Sequence, residues 1–372
     1  MPDNEVAMEE TTPLETEIRR RIAAAGPMPV AEFMALCLTH PIHGYYVTRD
    51  PLGERGDFVT SPEISQMFGE LIGLWMAAVW KQMGEPANVR VVELGPGRGT
   101  MMADALRAIK VMPAFRDALV LHLVEISPAL QGEQEKRLEQ IPVPMFWHAA
   151  LREVPAGPAI IVANEFFDAL PVHQAVKDAG GWHERQVAID DSERLIFTAA
   201  AEALAQFERL LPDRVRAAAE GAIFEWRSDA VAMEIGRRIA REGGAALVID
   251  YGHAQSAPGE TLQAVGRHVY VSPLAAPGTV DLTAHVDFQA LARAVEAMGA
   301  IAYGPVDQAD FLRRLGIETR AAKLKASAPP ATAAKIDAAL ARLTGHGRTG
   351  MGTLFKAAAY AHPNLGMPPG FG

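Results

Sequence analysis

Cysteine is almost missing from this chain: Cys37 is the only one in 372 residues. That rules out an internal disulfide and a cysteine-built zinc site, and it suits a reducing compartment. Basic residues are also in deficit, 35 Lys and Arg against 45 Asp and Glu, for a net charge of -10. This balance argues against a broad nucleic-acid or anionic-membrane surface and suits a cationic partner. No apolar run reaches the length of a membrane span, so no membrane insertion is expected. The stretch from Met1 to Glu17 has no basic segment followed by an apolar one and is too acidic for a transit peptide, which points to a cytoplasmic protein. His285 and Asp287 form no ligand set with other residues, so no metal is expected.

What remains is an ordinary globular composition, 49% hydrophobic and 22% charged, in a chain long enough for a large core. The first ten or so residues read as a frayed tail. Helices are expected over Leu14–Ala25 and roughly Val30–Leu38, then a loop rich in Gly, Pro and Tyr through 41–62. Ser61-Pro62-Glu63 is a helix start, and that helix runs to about Met83. Apolar strands fit Val89–Leu94, Val120–Glu125, Val143–Trp147, Ala159–Ala163 and Ala245–Asp250. Helices fit Thr100–Lys110 and Ser127–Gln140 between them. This alternation predicts an α/β fold with a parallel sheet covered on both faces.

About eighty residues separate the fourth and fifth strands. They hold short strands near Val172–Val176, Trp182–Ile189 and Leu195–Thr198, and a crossover helix near Asp229–Glu242. A helix near Asp287–Met298, an Ala-rich helical stretch near Ala321–Arg342 and a strand near Thr353–Ala359 follow, and the proline-rich end is expected to be loose.

The first strand runs into Glu93-Leu94-Gly95-Pro96-Gly97-Arg98-Gly99-Thr100. A dinucleotide fingerprint needs a third glycine at position six, and counting from Gly95 that position is Thr100. A phosphate loop needs a lysine that is absent between Gly99 and Thr100. Alternating glycines let the backbone approach a ligand without Cβ interference. This order fits the turn that holds S-adenosylmethionine, with Glu93 near the amino and sulfonium end and the Thr100 helix start available to a carboxylate. Glu125 ends the second strand, where a ribose-binding carboxylate sits in Rossmann-like folds; the alternative for it is a helix cap before Ser127-Pro128. His148, Ala149 and Leu151 follow the third strand, where an adenine pocket would form.

The fourth strand ends in Asn164-Glu165-Phe166-Phe167-Asp168-Ala169-Leu170-Pro171. Ligands of open α/β sheets bind beyond the carboxyl ends of the strands. Glu165 and Asp168, flanked by two phenylalanines, therefore suit a cationic methyl acceptor, best a planar guanidinium. The alternative is a turn in which Asn and Asp bond the backbone and the Phe pair is core.

On Gly56-Asp57-Phe58-Val59-Thr60-Ser61-Pro62-Glu63-Ile64-Ser65-Gln66, the glycine turn, the 164–171 turn, Asp250-Tyr251-Gly252-His253 and Pro277 to Phe288, the chain resembles the MidA-like family of S-adenosylmethionine-dependent methyltransferases. That family includes a mitochondrial complex I assembly factor acting as a protein arginine methyltransferase. The resemblance implies a Rossmann-like class I methyltransferase core, S-adenosyl-L-methionine as cofactor and a protein-arginine acceptor such as a complex I subunit. It also implies that Gly56–Gln66 covers the cofactor, with Thr60, Ser61, Glu63 and Gln66 as polar candidates. The stretch between Thr261 and Pro277 keeps only part of the family's aromatic- and His-rich pattern.

The expected cofactor contacts are Glu93, Gly95, Pro96, Gly97, Gly99, Thr100 and Glu125, with Ser61 and Asn164. The expected catalytic set is Glu165, Asp168 and His253, with Glu93 and His253 unranked as helpers in proton removal; Tyr45-Tyr46 lines the acceptor entrance or packs in the core. The expected organisation is an N-terminal helical and covering segment (1–84), a core (85–171 and 243–360), an inserted substrate-side subdomain (172–242) and a loose tail (361–372). Two rival functions use the same cofactor site: methylation of a small molecule, and a cofactor-binding assembly factor without catalysis.

Overall fold

The computed structural model describes residues 11–48, 60–266, 269–347 and 350–372. The expected frayed N-terminus and the Gly56–Val59 part of the covering segment lie outside these residues. Helix α1 (Pro13–Ala25) starts on Thr12, whose hydroxyl accepts from Glu15 N, and α2 (Val30–Thr39) follows. The single helix expected from Ser61 to Met83 is broken. One turn over Ser61–Ile64 precedes α3 (Gln66–Gln82), and Ser65 between them is extended, its hydroxyl accepting from Met67 N at 3.2 Å. A serine that caps the next helix leaves the previous one, and apolar periodicity does not register that break.

Strands and helices then alternate: β1 (Val89–Leu94), α4 (Thr100–Ala108), β2 (Leu119–Val124), α5 (Pro128–Leu138), β3 (Met145–His148) and β4 (Ala159–Asn164). The excursion that follows carries β5 (Val172–Asp178), β6 (Gly181–Ile189), β7 (Leu195–Ala203) and β8 (Ile223–Arg227). These form a second, antiparallel sheet, with β6 paired to β5, β7 and Met28–Pro29 of the N-terminal segment, and β5 paired to β8. Helix α6 (Ala230–Glu242) returns the chain to β9 (Gly244–His253) in the centre of the main sheet. A small antiparallel sheet comes next, β10 (Gln263–Gly266) lying between β11 (Val269–Val271) and β12 (Asp281–Thr283). The chain finishes with α7 (Phe288–Glu296), β13 (Ile301–Asp307), α8 (Gln308–Arg314), α9 (Ile317–Lys325), α10 (Pro330–Thr344) and β14 (Phe355–Ala361).

The main sheet runs β13-β14-β9-β4-β1-β2-β3. Strands β1 to β4 and β9 are parallel, and β14 is antiparallel to both of its neighbours. Val91, Ile160 and Leu247 face one apolar layer with α3, α4 and α8, while Val92, Ile161 and Val248 face another with α6 and α7. Burial on both faces is why these strands read as continuous apolar runs. The order reverses at β1: β2 lies to one side and β4 to the other, so a crevice opens above the carboxyl ends of β1 and β4.

Three further details differ from expectation. Strands β8 and β13 carry no clear core alternation, which is why the sequence hides them. Pro329-Pro330 splits the Ala-rich stretch into α9 and α10. The residues expected to form a loose tail pack down instead: the Trp75 indole donates to Pro369 O at 3.0 Å, and the Phe371 ring lies 5.4 Å from that of Phe311. A buried indole N–H needs an acceptor, and the tail supplies it.

Candidate functional site

A cavity of about 380 Å³ crosses the carboxyl ends of β3, β2, β1 and β4. Adjacent strands lie roughly 4.8 Å apart, so the four ends span about 14 Å. Ala149, Ala150 and Leu151 line the cavity beyond β3, Glu125 and Ile126 beyond β2, and Glu93 through Arg98 at β1, while Asn164, Glu165 and Phe166 stand at β4. Thr60, Pro62 and Glu63 face it from the covering turn, and Tyr46 from the N-terminal helices.

The glycine turn is built from left-handed backbone. Gly95, Gly97 and Gly99 have φ of 63°, 55° and 76°. A Cβ on Gly95 would lie 2.9 Å from Phe166 Cδ2, so the turn and the β4 end approach each other only because that position has no side chain. Gly99 is the cap of α4 and does not line the cavity. Gln134 holds the turn from behind: its amide donates to Gly97 O at 2.7 Å and to Glu125 Oε2 at 3.3 Å, and its oxygen accepts from the Trp147 indole at 2.8 Å. This fully buried residue was not singled out from the sequence. The signal was there, since Gln134 sits between Leu130 and Leu138 on the buried stripe of α5. A polar residue on such a stripe needs buried partners.

Glu93 is buried, and its Oε2 has no hydrogen-bond partner among the described residues. Burial pushes its carboxyl up to about 8, and the charge of Glu125 adds to the shift. Glu125 is also raised by burial, against bonds from Ser127 N at 2.8 Å and Gln134. An unpartnered carboxylate oxygen beside a left-handed glycine cradle, one strand from a second carboxylate, fits a ligand with an ammonium at one end and a ribose beyond it. His148 turns away from the lining, with its Nε2 2.9 Å from His122 Nδ1; burial pushes that second imidazole down to about 4.

Glu165 is the residue after β4 and adopts φ 50°, unusual for a side chain larger than glycine. Its Oε1 accepts from Ser61 N at 3.0 Å and from the Asn164 amide at 3.1 Å, and burial pushes the carboxyl up to about 8. The break at Ser65 therefore has a use, because it sets the Ser61–Ile64 turn with its first N–H on Glu165. Ser61 itself does not line the cavity, and its hydroxyl lies 3.5 Å from Gln308 Oε1. Thr100 Oγ1 donates to Glu63 Oε1 at 2.5 Å and ties the covering turn to α4. Gln66 instead accepts from Arg107.

The structure separates the expected catalytic set. Glu165 faces the cavity. Asp168 does not line it: the Tyr251 hydroxyl donates to Asp168 Oδ2, and the Asp168 and Phe167 amides donate to Asp250 Oδ2. Burial raises the carboxyls of both Asp168 and Asp250. Arg227 of β8 braces the same turn, donating to the carbonyls of Asp168, Leu170, Ala284 and His285. The inserted sheet thus holds the Glu165–Pro171 turn through one guanidinium. His253 also lies off the cavity lining, at the end of β9 opposite Asp287, with a buried Nδ1 that has no partner among the described residues. The physical reason is alternation and turning: Glu165 and Asp168 are three residues apart in a tight turn, so they point to opposite sides of it. Among the described residues no cluster of His, Cys, Asp or Glu is grouped to hold a metal ion.

Comparison with known proteins finds relatives over most of the chain. The model of a family of S-adenosyl-L-methionine-dependent methyltransferases covers residues 71–306. Among curated proteins, the chain is 38% identical to "Protein arginine methyltransferase NDUFAF7 homolog, mitochondrial" of Drosophila melanogaster, over 92% of this chain and 83% of that one. It is 40% identical to "Protein arginine methyltransferase NDUFAF7, mitochondrial" of Homo sapiens, over 85% and 76%. Among solved structures, a Burkholderia thailandensis protein crystallised with S-adenosyl-homocysteine superposes with a TM-score of 0.82 at 30% identity, over 96% of this chain and 93% of that one. The curated relatives are mitochondrial by name, which points away from the cytoplasmic location expected from the acidic N-terminus. Composition reports solvent and charge, and a compartment is not written in either.

Proposed function

The chain belongs to this family of S-adenosyl-L-methionine-dependent methyltransferases, and from that membership we propose that it methylates an arginine of a protein partner, with a respiratory complex I subunit as the candidate acceptor. When bound, S-adenosylmethionine supplies a methyl group already activated by its sulfonium. The chain's residues have alignment, exclusion of water and one proton left to manage.

In this reading Glu125 takes the ribose, Glu93 the amino group, and the backbone of Gly95, Pro96 and Gly97 lies against the chain between them. Asn164 fixes the orientation of Glu165. Thr100 lines the cavity with its hydroxyl bonded to Glu63, and Ser61 acts one step back through its N–H on Glu165.

The single observation that carries the acceptor side is the Glu165 carboxyl. It stands in the cavity wall one strand from the glycine turn, with Oε1 held by Ser61 N and Asn164. A guanidinium is fully protonated in water and a poor nucleophile, so a methylating site must both draw its charge toward one edge and accept a proton. With its carboxyl pushed up to about 8, Glu165 is ionised in only a minority of molecules at pH 7; that form accepts the proton and then holds it firmly, so turnover should rise toward pH 8. Asp168, Tyr251 and Arg227 keep the turn rigid without reaching the cavity. His253 does not line the cavity and is given no step in this reading.

The test is incubation of the protein with radiolabelled S-adenosylmethionine and isolated complex I subunits, followed by peptide mapping. Label on arginine supports the proposal. Label only on small molecules, or tight cofactor binding with no turnover, overturns it.

A further inference from the structure

Tyr46 shares the cavity with Glu165 and takes no part in the cofactor contacts proposed above. It belongs to the turn Tyr45–Thr48 and lines the same cavity. Its hydroxyl donates to Asp281 Oδ1 at 3.1 Å, and Asp281 is buried in β12, paired through Val265 of β10. The fully buried Tyr45 ring packs edge-on against Tyr46, 5.4 Å between centroids and 73° between planes. The Tyr46 ring is therefore fixed on one side by Tyr45 and at its tip by Asp281.

A phenol has one proton to donate. With that proton committed to Asp281, the Tyr46 oxygen has only acceptor lone pairs left for the cavity. Burial and the charge of Asp281 both raise the phenol's pKa well above its ordinary value, so the proton stays in place. The cavity thus presents two hydrogen-bond acceptors from different elements: the Glu165 carboxyl from β4, and the Tyr46 oxygen anchored by the small sheet.

We propose that Tyr46, locked by Asp281, orients the methyl acceptor by receiving one of its N–H groups while Glu165 receives another. This rests on the arginine reading above. A guanidinium is planar and offers five N–H donors in fixed directions. Two separated acceptors set its plane, leaving a single nitrogen turned toward the glycine-turn side. The device also discriminates when Glu165 is ionised, because a group with no spare N–H, such as a carboxylate or a thioether, then meets two acceptors.

The experiment uses the full chain and the complex I subunit that the wild-type protein labels. Tyr46→Phe keeps the ring and removes only the oxygen. The expected result is a kcat/KM for that subunit reduced roughly tenfold or more, the size of one lost hydrogen bond to a charged group. The Kd for S-adenosylmethionine stays within about twofold, since Tyr46 stands on the acceptor side. Asp281→Asn, whose amide oxygen still accepts the phenol proton, retains most of the activity, while Asp281→Leu falls with Tyr46→Phe. Wild-type kcat/KM in Tyr46→Phe, or a cofactor Kd that weakens in step with it, overturns the inference. Absence of arginine labelling by the wild-type protein is a different result: it overturns the arginine reading itself.

Discussion

At pH 7 most Glu93 side chains carry a proton, because burial pushes this carboxyl up to about 8. To hold the ammonium of S-adenosylmethionine as proposed, Glu93 must give that proton up. The α-amino group of the ligand ordinarily titrates near 8 as well. The competent pairing, ionised Glu93 with a protonated amine, is therefore a minor population at pH 6. Taking both values as about 8, that population rises roughly eightfold from pH 6 to pH 7, a further ~3-fold to pH 8, and declines above it. Cofactor affinity should follow the same bell. Calorimetry from pH 6 to 9 measures it directly, and repeating the pH 7 titration in two buffers of different ionisation enthalpy reads the proton released on binding. In Glu93→Gln the side chain cannot ionise, so the acid limb should flatten and the release at pH 7 should disappear, along with a loss of affinity. A wild-type Kd that does not change between pH 6 and pH 7 would refute the reasoning. An unchanged acid limb in Glu93→Gln would do so equally, because the proton would then belong to another group.

Glu165→Gln removes the proton acceptor but keeps bonds to Ser61 N, so turnover should fall by about 10²- to 10⁴-fold with little change in cofactor Kd; single-turnover kinetics alongside calorimetry would separate the two. Gly97→Val places a β-branched side chain at φ 55°, a conformation costing on the order of 1–3 kcal/mol for such a residue. Cofactor binding by calorimetry should be lost or severely weakened, and wild-type binding would show that this glycine does not face the ligand. Gln134→Leu strands Gly97 O and the Trp147 indole without their partner. We expect about 1–3 kcal/mol of lost stability in urea unfolding per unsatisfied group, and a raised cofactor Kd because the turn and Glu125 lose a shared brace. A stable Gln134→Leu protein with wild-type Kd would remove Gln134 from the site.

Much of the site was legible because it is local. The run from Val89 to Thr100 carries a strand, a turn and a helix start in consecutive residues, and each leaves its own residue preference. Glu125 was legible for the same reason: it closes a recognisable strand. Gln134 is legible only as a polar residue on an apolar stripe, since helix periodicity marks the buried face but not which partners a polar side chain finds there. Tyr251 and His253 stand two residues apart at the end of β9, and nothing local ranks one above the other. The structure gives the buried contact to the tyrosine, through its bond to Asp168, and leaves His253 off the cavity.

The sequence by itself determined the alternating parallel core, the cofactor class and the strand ends from which the site is built, since strand, turn and helix propensities act over a few neighbouring residues. Tertiary structure alone decided which acids share the cavity. Glu165 and Asp168 are three residues apart and equivalent as text. The tight turn, clamped by Arg227 from a strand about sixty residues downstream and by Asp250 from β9, sends one toward the cavity and the other toward Tyr251. It also brought Ser61 N to Glu165 across 104 positions and Tyr46 to Asp281 across 235. Such contacts depend on how layers pack, and no local pattern records which distant residue a side chain will meet.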